Sequence, residues 1–492
     1  MFIGIDLGTS SVKIILINHE QKILASSQSN LSVQSPQDGY NEQDPHEWIH
    51  ATEKCFESLK EKCPKEFSDT ISIGISGHMH GATLVDKEGK VIRPCILWND
   101  TRSFKECEEF EDQDFDVRAI SGNITMPGFT APKINWIKNN EPDNFKKIDK
   151  VLLPKDYLRF YLTGGFYSEM SDASGTLWMN IEDRTWSDKL LAASFLLKDH
   201  MPTLVEGNEE TGILKLSIKE KFKFSKNVIV VGGAGDNAAA AAGMGVISDN
   251  QSFISLGTSG VFFTPTKKFL KNTQDAVHSF CHCLPNKWHL MSVMLSASSC
   301  LDWICLITGQ SIEAALQNAK NFYANEDLTN TPYFLPYMSG ERTPHNDPHV
   351  RGSFHYLKTN TNQAALQFSV IEGVCFGILD GINSIKSVNN NFDDIFMVGG
   401  GSRSSFWLTL LSSIIQRKLS VCDQSEFGAA LGVARLAMFT DKNILDKESI
   451  IKKINVKNSF HPNDNKIDLL NKRYNVWKNI YSNTKKINYQ IG

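Results

Sequence analysis

Runs of β-branched and other apolar residues are separated by short glycine turns along this chain, and one strand–turn–strand unit occurs twice. Residues 2–7 and 12–18, FIGIDL and VKIILIN, predict two strands joined by a Gly-Thr-Ser turn. In the second half, residues 253–256 lead into a Gly-Thr-Ser-Gly turn at 257–260 and a further apolar strand. This repeat indicates an internal duplication.

Three further apolar runs, 70–77, 228–235 and 394–401, predict strands that end in glycines. An alanine-rich helix is predicted after the second run, at 237–243, and another helix after the third, at 405–416. Because strands and helices alternate, the pattern predicts an α/β fold with mainly parallel central sheets.

Helical spacing of apolar residues predicts two more elements. Residues 45–62 place Trp48, Cys55 and Leu59 on one side of a helix. A final helix begins near residue 464, and its apolar residues recur at steps of three and four: Ile467, Leu470, Tyr474, Trp477 and Tyr481. We expect this stripe to dock on the core, without a chemical role.

The chain length predicts two domains. With 492 residues the chain exceeds what one hydrophobic core usually holds. We place the domains at residues 1–245 and 246–492, where the sequence leaves the alanine-rich helix. Since no low-complexity linker separates them, we expect the halves to pack around a central cleft.

Composition narrows the class of protein. Hydrophobic and charged fractions of 41% and 22% are typical of a soluble globular protein, and a net charge of −4 argues against nucleic acid as a partner. The ten cysteines form no CxxC pair and no signal peptide is visible, so we expect a cytoplasmic protein with reduced thiols. The most apolar run, 228–247, is interrupted by Asp236 and Asn237, so we expect no membrane span. Oligomeric state stays open, with a homodimer as one alternative.

The two repeated turns are candidate phosphate sites. Backbone N–H groups in a tight glycine-hydroxyl turn can converge on an anion. A plain hairpin explains one such turn equally well, but two turns from two domains could hold a polyphosphate from both sides. Asp6 precedes the first turn only, which suits a magnesium ion beside the phosphates.

Asp236 is a candidate catalytic carboxylate. It follows the glycines of VVGGAGD and precedes the alanine-rich helix. The plain alternative is a helix N-cap and nothing more. The glycines leave room for a ligand, however, so Asp236 could accept a proton from a hydroxyl that attacks phosphorus.

Three other stretches carry candidate chemistry. Met79 and His80 follow the strand 70–77. The stretch ILWNDTR places Trp98 beside polar groups; such an aromatic side chain could contact a sugar or equally well cap the protein surface. The segment 278–290 holds three histidines and two cysteines, but a strand would point its thiols and imidazoles to opposite faces. We therefore expect no zinc site there.

Long motifs resemble the FGGY family of carbohydrate kinases. They include GIDLGTSSVK, MHGATL, ILWNDTR, MPGFTAPKINW, KVLLPKDYLR, SLGTSGV, FLPYMSGERTPHNDP and GGGSRSSFW. The resemblance covers almost the whole chain and weakens after about residue 440. It implies two actin-like, ribonuclease-H-like α/β domains around a central cleft, which would explain the duplicated hairpin.

The resemblance also implies roles for individual residues. Asp236 would be the catalytic base, assisted by Asp6, and both carboxylates would face Mg²⁺. The sugar would contact Met79, His80, Trp98, Asp236 and Asn237. The phosphates of ATP would lie against Gly8, Thr9, Ser10 and Lys13 in the first domain and against Gly257 and Thr258 in the second. The nucleotide turn would comprise Gly400, Gly401 and Ser404.

The chain departs from the family pattern at three positions. His78 stands where similar proteins usually carry Gln, which could alter a contact in the sugar pocket. Tyr356 replaces a usual glycine, and Phe427 replaces a smaller or less apolar residue. None of these changes affects Asp6, Asp236 or either turn.

The activity implied by the resemblance is ATP- and magnesium-dependent phosphorylation of a pentulose, D-xylulose, on O5. Another pentulose or polyol, such as ribulose or xylitol, is an alternative substrate. An actin-like nucleotide-binding module without a sugar is a further alternative, against which the sites at Asp236–Asn237 and Met79–His80 argue.

Overall fold

The computed structural model describes residues 1–422, 428–446, 448–451 and 456–491. Phe427, one of the departures from the family pattern, lies outside these residues. The account below concerns only the described part of the chain.

Each half begins with the predicted hairpin. Phe2–Leu7 pairs antiparallel with Ser11–Ile17, and Gln251–Leu256 pairs antiparallel with Gly260–Thr266. On the far side of each first strand lies a parallel partner, Ser72–Gly77 in one half and Asp394–Val398 in the other. The shared topology confirms the duplication predicted from the repeated turns.

The two central sheets have seven strands each. In spatial order, the first contains Glu210–Ile213, Ile229–Val231, Ser72–Gly77, Phe2–Leu7, Ser11–Ile17 and Ile23–Asn30, with Ala234–Gly235 also paired to Ser72–Gly77. The second contains His278–Cys281, Trp288–Met294, Gly260–Thr266, Gln251–Leu256, Asp394–Val398, Leu419–Cys422 and Val456–Phe460. The prediction of mainly parallel sheets is wrong: both are mixed, because strands joined by short turns must pair antiparallel.

Helices and short strands complete the two halves. The α-helices are Pro45–Lys62, Pro64–Ser68, Phe104–Glu111, Val117–Ser121, Thr130–Asn140, Pro142–Phe145, Pro154–Thr163, Met170–Ala173, Asp188–Ala192, Leu216–Phe222, Asp236–Met244, Ser298–Thr308, Ile312–Asn325, Gln363–Lys386, Ser405–Ile415, Gly428–Met438 and Ile467–Ile491. Two-stranded ladders are formed by Glu42–Gln43 with Cys95–Ile96, Thr83–Val85 with Lys150–Leu152, Tyr167–Glu169 with Thr203–Val205, Met179–Asn180 with Thr185–Trp186, and Tyr333–Leu335 with Ser353–His355.

The second half is built around the helix Gln363–Lys386. By length and composition this helix could cross a membrane, but 89% of its most apolar window is buried inside the protein, as in a core helix. The C-terminal helix docks as predicted: Leu470 and Trp477 are buried, and the Arg473 guanidinium forms a buried ion pair with Glu372.

Two small-residue helices join the halves. Gly428–Met438 packs on Asp236–Met244 and on the first sheet, so it crosses the boundary proposed at residue 245. A Cβ atom on Gly432 would overlap the carbonyl oxygen of Ala239, and one on Gly4 would overlap that of Ala430. The backbones therefore approach one another at a distance that only glycine permits.

Gly432→Ala is expected to lower the free energy of unfolding by about 2 kcal/mol or more, because the added methyl group must separate two backbones. Equilibrium urea unfolding measures the change. Gly428→Ala is the matched control on the same helix, since its Cβ would lie 3.7 Å from the nearest atom of Ala240. Equal stability of the two variants would contradict the role of the close approach.

Candidate active site

The carboxyl ends of three parallel strands meet at one edge of the first sheet. Leu7 lies beside Gly77 in the register, and Gly77 lies beside Gly235. The first turn, the loop with the predicted sugar contacts and Asp236 leave these strands next to one another. Such an edge is where open α/β sheets bind ligands.

The first turn is supported by two side chains from outside the hairpin. The Gly8 N–H donates to the Ser11 carbonyl at 3.0 Å and closes the turn. Gln43 Nε2 donates to the Thr9 carbonyl at 2.7 Å, and the Trp98 indole N–H donates to Thr9 Oγ1 at 3.0 Å. Trp98, which is 39% exposed, thus lies against the phosphate turn, and its contact with a sugar stays a prediction.

Asp6 lies opposite Lys13 across the hairpin. Burial raises the pKa of Asp6, and the positive charge of Lys13 opposes this rise. No group of three or more His, Cys, Asp or Glu side chains in the described residues could hold a metal ion. Asp6 and Asp236 offer the hard carboxylate oxygens that Mg²⁺ prefers, so they fit an ion whose other ligands are phosphate oxygens and water.

Asp236 is the first residue of the helix Asp236–Met244, and Gly235 occupies the N-cap position. The N-cap alternative for Asp236 is therefore wrong. Asp236 Oδ1 accepts hydrogen bonds from the backbone N–H of Asn237 at 2.6 Å and from its side-chain amide at 2.8 Å. Burial is the largest influence on the Asp236 pKa and raises it to about 6; the charge of Asp6 also raises it, while the Asn237 bonds oppose this.

His80 is held in a left-handed backbone conformation, with φ of 70°. Its carbonyl accepts hydrogen bonds from Lys133 Nζ at 2.8 Å and from Thr130 Oγ1 at 3.1 Å. Its ring Nδ1 lies 2.6 Å from the Gly175 carbonyl oxygen. Both the backbone and the ring of His80 are thereby fixed in position.

The protonation state of His80 follows from these contacts. Burial lowers its pKa to about 3, so the ring is neutral near pH 7. Because a carbonyl only accepts, Nδ1 carries the proton and Nε2 is left as an acceptor. A neutral ring of this tautomer can accept a hydrogen bond from a hydroxyl group.

Met79 connects the His80 loop to the loop before Asp236. Its side chain is 6% exposed. A Cβ atom on Gly235 would lie 3.3 Å from the Met79 sulfur, and one on Gly175 would lie 2.8 Å from its terminal methyl. The two glycines thus make room for Met79.

The second turn and the nucleotide turn form a continuous surface. The Thr258 carbonyl accepts a hydrogen bond from the Ala297 N–H, and the Gly257 carbonyl accepts one from the Ser298 N–H, each at 2.8 Å. Ser298 is the first residue of the helix Ser298–Thr308. Gly399 has φ of 87°, and a Cβ atom there would lie 3.1 Å from the Gly257 nitrogen. The predicted nucleotide turn therefore packs directly on the second phosphate turn.

Gly400 and Gly401 face different surroundings. A Cβ atom on Gly400 would meet nothing within 4 Å, whereas one on Gly401 would lie 2.5 Å from the Leu256 side chain. Ser404 caps the helix Ser405–Ile415 by accepting a hydrogen bond from the Trp407 N–H at 3.2 Å. Gly400 is thus the member of this set that leaves space for a ligand.

Other polar groups singled out in the sequence have structural partners. Asp100 and Arg102 form an ion pair at 2.7 Å, and Arg102 also pairs with Glu42 at 2.6 Å. The Arg102 guanidinium lies over the Tyr40 ring, 3.9 Å from its centroid. This network fixes the segment that carries Trp98.

The histidines of the segment 278–290 lie in the hairpin His278–Cys281 and Trp288–Met294 or in its turn. His278, His282 and His289 are buried, and burial lowers their pKa values. The hairpin packs against the first half, where the Trp288 indole N–H donates to the Ile181 carbonyl at 2.7 Å.

The two described departures from the family pattern lie in unlike places. His78 is 3% exposed, and its ring meets Trp48 edge-on at 5.7 Å. Tyr356 is 70% exposed and adopts a left-handed backbone with φ of 63°, a conformation that glycine adopts without strain.

Lys133 and Gly175 were missed in the sequence although both contact His80. Lys133 is fully buried and also donates to the Gly128 carbonyl at 2.7 Å; burial lowers its pKa to about 7. It stands within the family-like stretch GFTAPKINW, and that motif is the signal that could have identified it.

Paired α/β domains that each carry a glycine-hydroxyl turn, with a carboxylate before the first turn, fit a phosphotransferase, and comparisons with known proteins agree. The N-terminal domain of the FGGY family of carbohydrate kinases matches residues 1–243, and the C-terminal domain matches residues 252–440. The chain belongs to the FGGY family of carbohydrate kinases.

Several relatives share most of their length with the chain. It is 46% identical over 437 residues to the xylulose kinase of Escherichia coli strain K12, covering 89% of each protein. It is 42% identical over 487 residues to the xylulose kinase of Klebsiella pneumoniae, covering 99% and 100%.

Solved structures share the fold. A protein from Brucella ovis described as a xyloylose kinase superposes with a TM-score of 0.94 at 42% identity, covering 99% of both chains. The xylulose kinase of Rhodospirillum rubrum, at 21% identity and a TM-score of 0.91 over 99% of both chains, shares the fold alone. The predictions of two actin-like domains and of a carbohydrate kinase are confirmed.

Lys133→Met keeps the length of the side chain but removes both donated hydrogen bonds, so the His80 carbonyl loses its main partner. The His80 carbonyl then keeps only the bond from Thr130 Oγ1, and the Gly128 carbonyl loses the bond from Lys133. Losing a hydrogen bond to a buried carbonyl costs about 1–3 kcal/mol. We expect KM for the sugar to rise about tenfold or more, with KM for ATP little changed, in steady-state assays.

Lys138→Met is the control on the same helix, because Lys138 lies over the Phe195 ring and not at His80. Lys133→Arg, which retains donors, is expected to recover part of the loss. An unchanged KM for the sugar in Lys133→Met would contradict this positioning role.

Proposed function

We propose that the protein is a xylulose kinase that transfers the γ-phosphoryl group of ATP to O5 of D-xylulose, giving D-xylulose 5-phosphate and ADP. The assignment is supported by relatives that are named xylulose kinase and are 42% and 46% identical to the chain over most of its length. The observation that carries the mechanism is the position of Asp236, at the strand edge shared with Asp6 and the Met79–His80 loop. The pKa of Asp236 is raised to about 6 there.

Asp236 acts as the proton acceptor in this proposal. Phosphoryl transfer has a loose transition state, so the hydroxyl proton leaves late and the base mainly orients O5. A carboxylate with a pKa near 6 is ionised at pH 7.5 and is more basic than an ordinary Asp. His80 Nε2 and Asn237 complete the sugar contacts.

The two turns bind the phosphates from opposite domains. The Gly8 and Gly257 N–H groups close the turns themselves, which leaves the following amides, those of Thr9 and Thr258, to face phosphate oxygens. Asp6 and Asp236 would hold a magnesium ion, which would neutralise charge on the phosphate oxygens. Gly400 leaves space for the nucleotide next to the second turn.

We further infer a cytoplasmic location. It is supported by the ten cysteines, nine of which are buried, and by the lack of any disulfide between cysteines in the described residues.

ADP release by the purified protein with ATP and Mg²⁺ tests the function across D-xylulose, D- and L-ribulose, L-xylulose, xylitol, glycerol, gluconate and a sugar-free control. We expect D-xylulose to stimulate turnover well above all others. Preference for another sugar would reject the proposed substrate but retain a kinase. No stimulation of ADP release by any sugar would reject the assignment of the protein as a sugar kinase.

The variant Asp236→Asn tests the role of the catalytic base in the same assay. The amide preserves shape but cannot accept the proton, so we expect turnover to fall by at least about a hundredfold. Binding of ATP should be retained. Turnover within a few-fold of wild type would exclude Asp236 as the base.

The pH profile follows from the raised pKa of Asp236. Since the base must be ionised, kcat/KM for D-xylulose is expected to fall as pH drops below about 6. The pKa of Asp6 is also raised, so the acid limb reports the coupled pair. Circular dichroism over the same range controls for unfolding, and a flat profile down to pH 5 would contradict the assignment.

A further inference from the structure

Five ionisable side chains are buried behind the loop that precedes Asp236, and the mechanism above uses none of them. Each is at most 1% exposed: Lys155, Asp156, Arg159, Glu169 and Asp172. Burying so many charges is costly unless each finds a partner. Their arrangement therefore calls for a purpose beyond packing.

Two members of this cluster hold the glycine loop, residues 232–235, at its two ends. Arg159 Nη2 donates to the Gly232 carbonyl. Glu169 Oε1 accepts from the Gly235 N–H at 3.0 Å, and Ser171 Oγ accepts from the same N–H at 3.0 Å. The bonds to Gly235 fix the residue directly before Asp236.

The glycine loop also has backbone partners: the Gly232 and Gly233 N–H groups donate to the Glu209 and Gly207 carbonyls, and Ala234–Gly235 pairs with the strand Ser72–Gly77. Gly233 has φ of 74°, and a Cβ atom there would overlap the Ile75 carbonyl oxygen. A Cβ atom on Gly232 would likewise overlap the Glu206 carbonyl oxygen. Because three of its four residues are glycines and the fourth is Ala234, the polar side chains that hold the loop all come from outside it.

Ion pairs connect the two ends of the loop. Asp156 Oδ1 lies 2.8 Å from both Lys155 Nζ and Arg159 Nη1. Lys155 Nζ also lies 3.3 Å from Asp172 Oδ2 and 3.7 Å from Glu169 Oε1. Asp156 and Lys155 thus join Arg159, at one end of the loop, to Glu169 at the other.

The cluster mixes cations with carboxyl groups. It contains two cations and three carboxyl groups, and burial raises the pKa of Asp172 well above its usual range. Apart from the Lys155 ammonium 3.3 Å from its Oδ2, the Asp172 carboxyl has no polar partner in the described residues.

We propose that this cluster is the positioning device of Asp236. Arg159 and Glu169 are positioning residues: they hold the glycine loop at its ends and so fix where the helix Asp236–Met244 begins. Glu169 is the critical member because it accepts from Gly235 directly. This inference rests on the proposed function, in which Asp236 accepts the proton of the sugar hydroxyl.

Glu169→Gln tests the proposal, because it keeps the size of the side chain while removing the charge that accepts from Gly235 and pairs with Lys155. We expect kcat with D-xylulose to fall at least tenfold, with KM for ATP within twofold of wild type. Because partial unfolding also lowers the apparent kcat at unchanged KM, kcat is calculated per folded molecule, with the folded fraction measured by circular dichroism.

Glu372→Gln is the matched control. Glu372 is equally buried and accepts from Arg473 at 2.7 and 2.5 Å in the second half of the chain. Both variants should shift the urea midpoint downwards, but only Glu169→Gln should lower kcat. Unchanged kcat in Glu169→Gln, or equal losses of kcat in both variants, would overturn the proposal.

If Glu169→Gln does not fold, a pair of milder substitutions tests the same proposal. Ser171→Ala removes one acceptor of the Gly235 N–H without changing the number of buried charges. Ser369→Ala, in the second half, removes an equally buried hydroxyl that donates to the Pro332 and Ala365 carbonyls. We expect kcat to fall about threefold in the first variant only, and equal kcat values would overturn the proposal.

Wild type and Asp236→Asn are assayed beside these variants. A wild type without D-xylulose-stimulated turnover overturns the proposed function and, with it, this inference. An active wild type and an inactive Asp236→Asn, together with an unaffected Glu169→Gln, overturn the inference alone.

Discussion

The close contact between the helices Asp236–Met244 and Gly428–Met438 is the constraint on which the rest of the structure depends. Glycine and alanine at the crossing let backbone meet backbone, and Arg435 donates to the Ala242 and Gly243 carbonyls at the end of the first helix. The second helix also lies on the first sheet, against Gly4 and Gly74. One helix thus ties the second half of the chain to the sheet and to the helix that begins with Asp236.

Opposing influences act on the carboxylate at the start of that helix. The helix N-terminus and the two bonds from Asn237 favour the ionised form of Asp236, whereas burial and the charge of Asp6 favour the neutral form. Burial prevails, and the pKa rises to about 6. A carboxylate of this kind is ionised at neutral pH yet basic enough to accept a proton, a balance that an exposed Asp would not reach.

The sequence could predict what depends on local pattern, and less of what depends on tertiary contact. The hairpins, the C-terminal helix and the position of Asp236 at the start of its helix follow from apolar runs, helical spacing and glycines. Lys133 and Glu169 could not be found this way, because a charged residue in a helix or short strand is usually exposed, and only packing shows that both are buried. The mixed sheets were missed although both tight turns were identified, because the alternation of strands and helices was given more weight than the antiparallel pairing that such turns impose.

The two sides of the cleft differ in the hydrogen-bonding groups that they present. On the side proposed for the sugar stand acceptors: His80 Nε2, fixed by the bond between Nδ1 and Gly175, and the Asp236 carboxylate. On the side proposed for the phosphates stand donors, the backbone amides of the two turns. A polyol is rich in hydroxyl donors and a triphosphate is rich in acceptor oxygens, so each ligand fits one side and is poorly matched to the other. In the proposed function this polarity orients the two substrates, and the close contact with the helix Gly428–Met438 helps to hold the Asp236 helix in place.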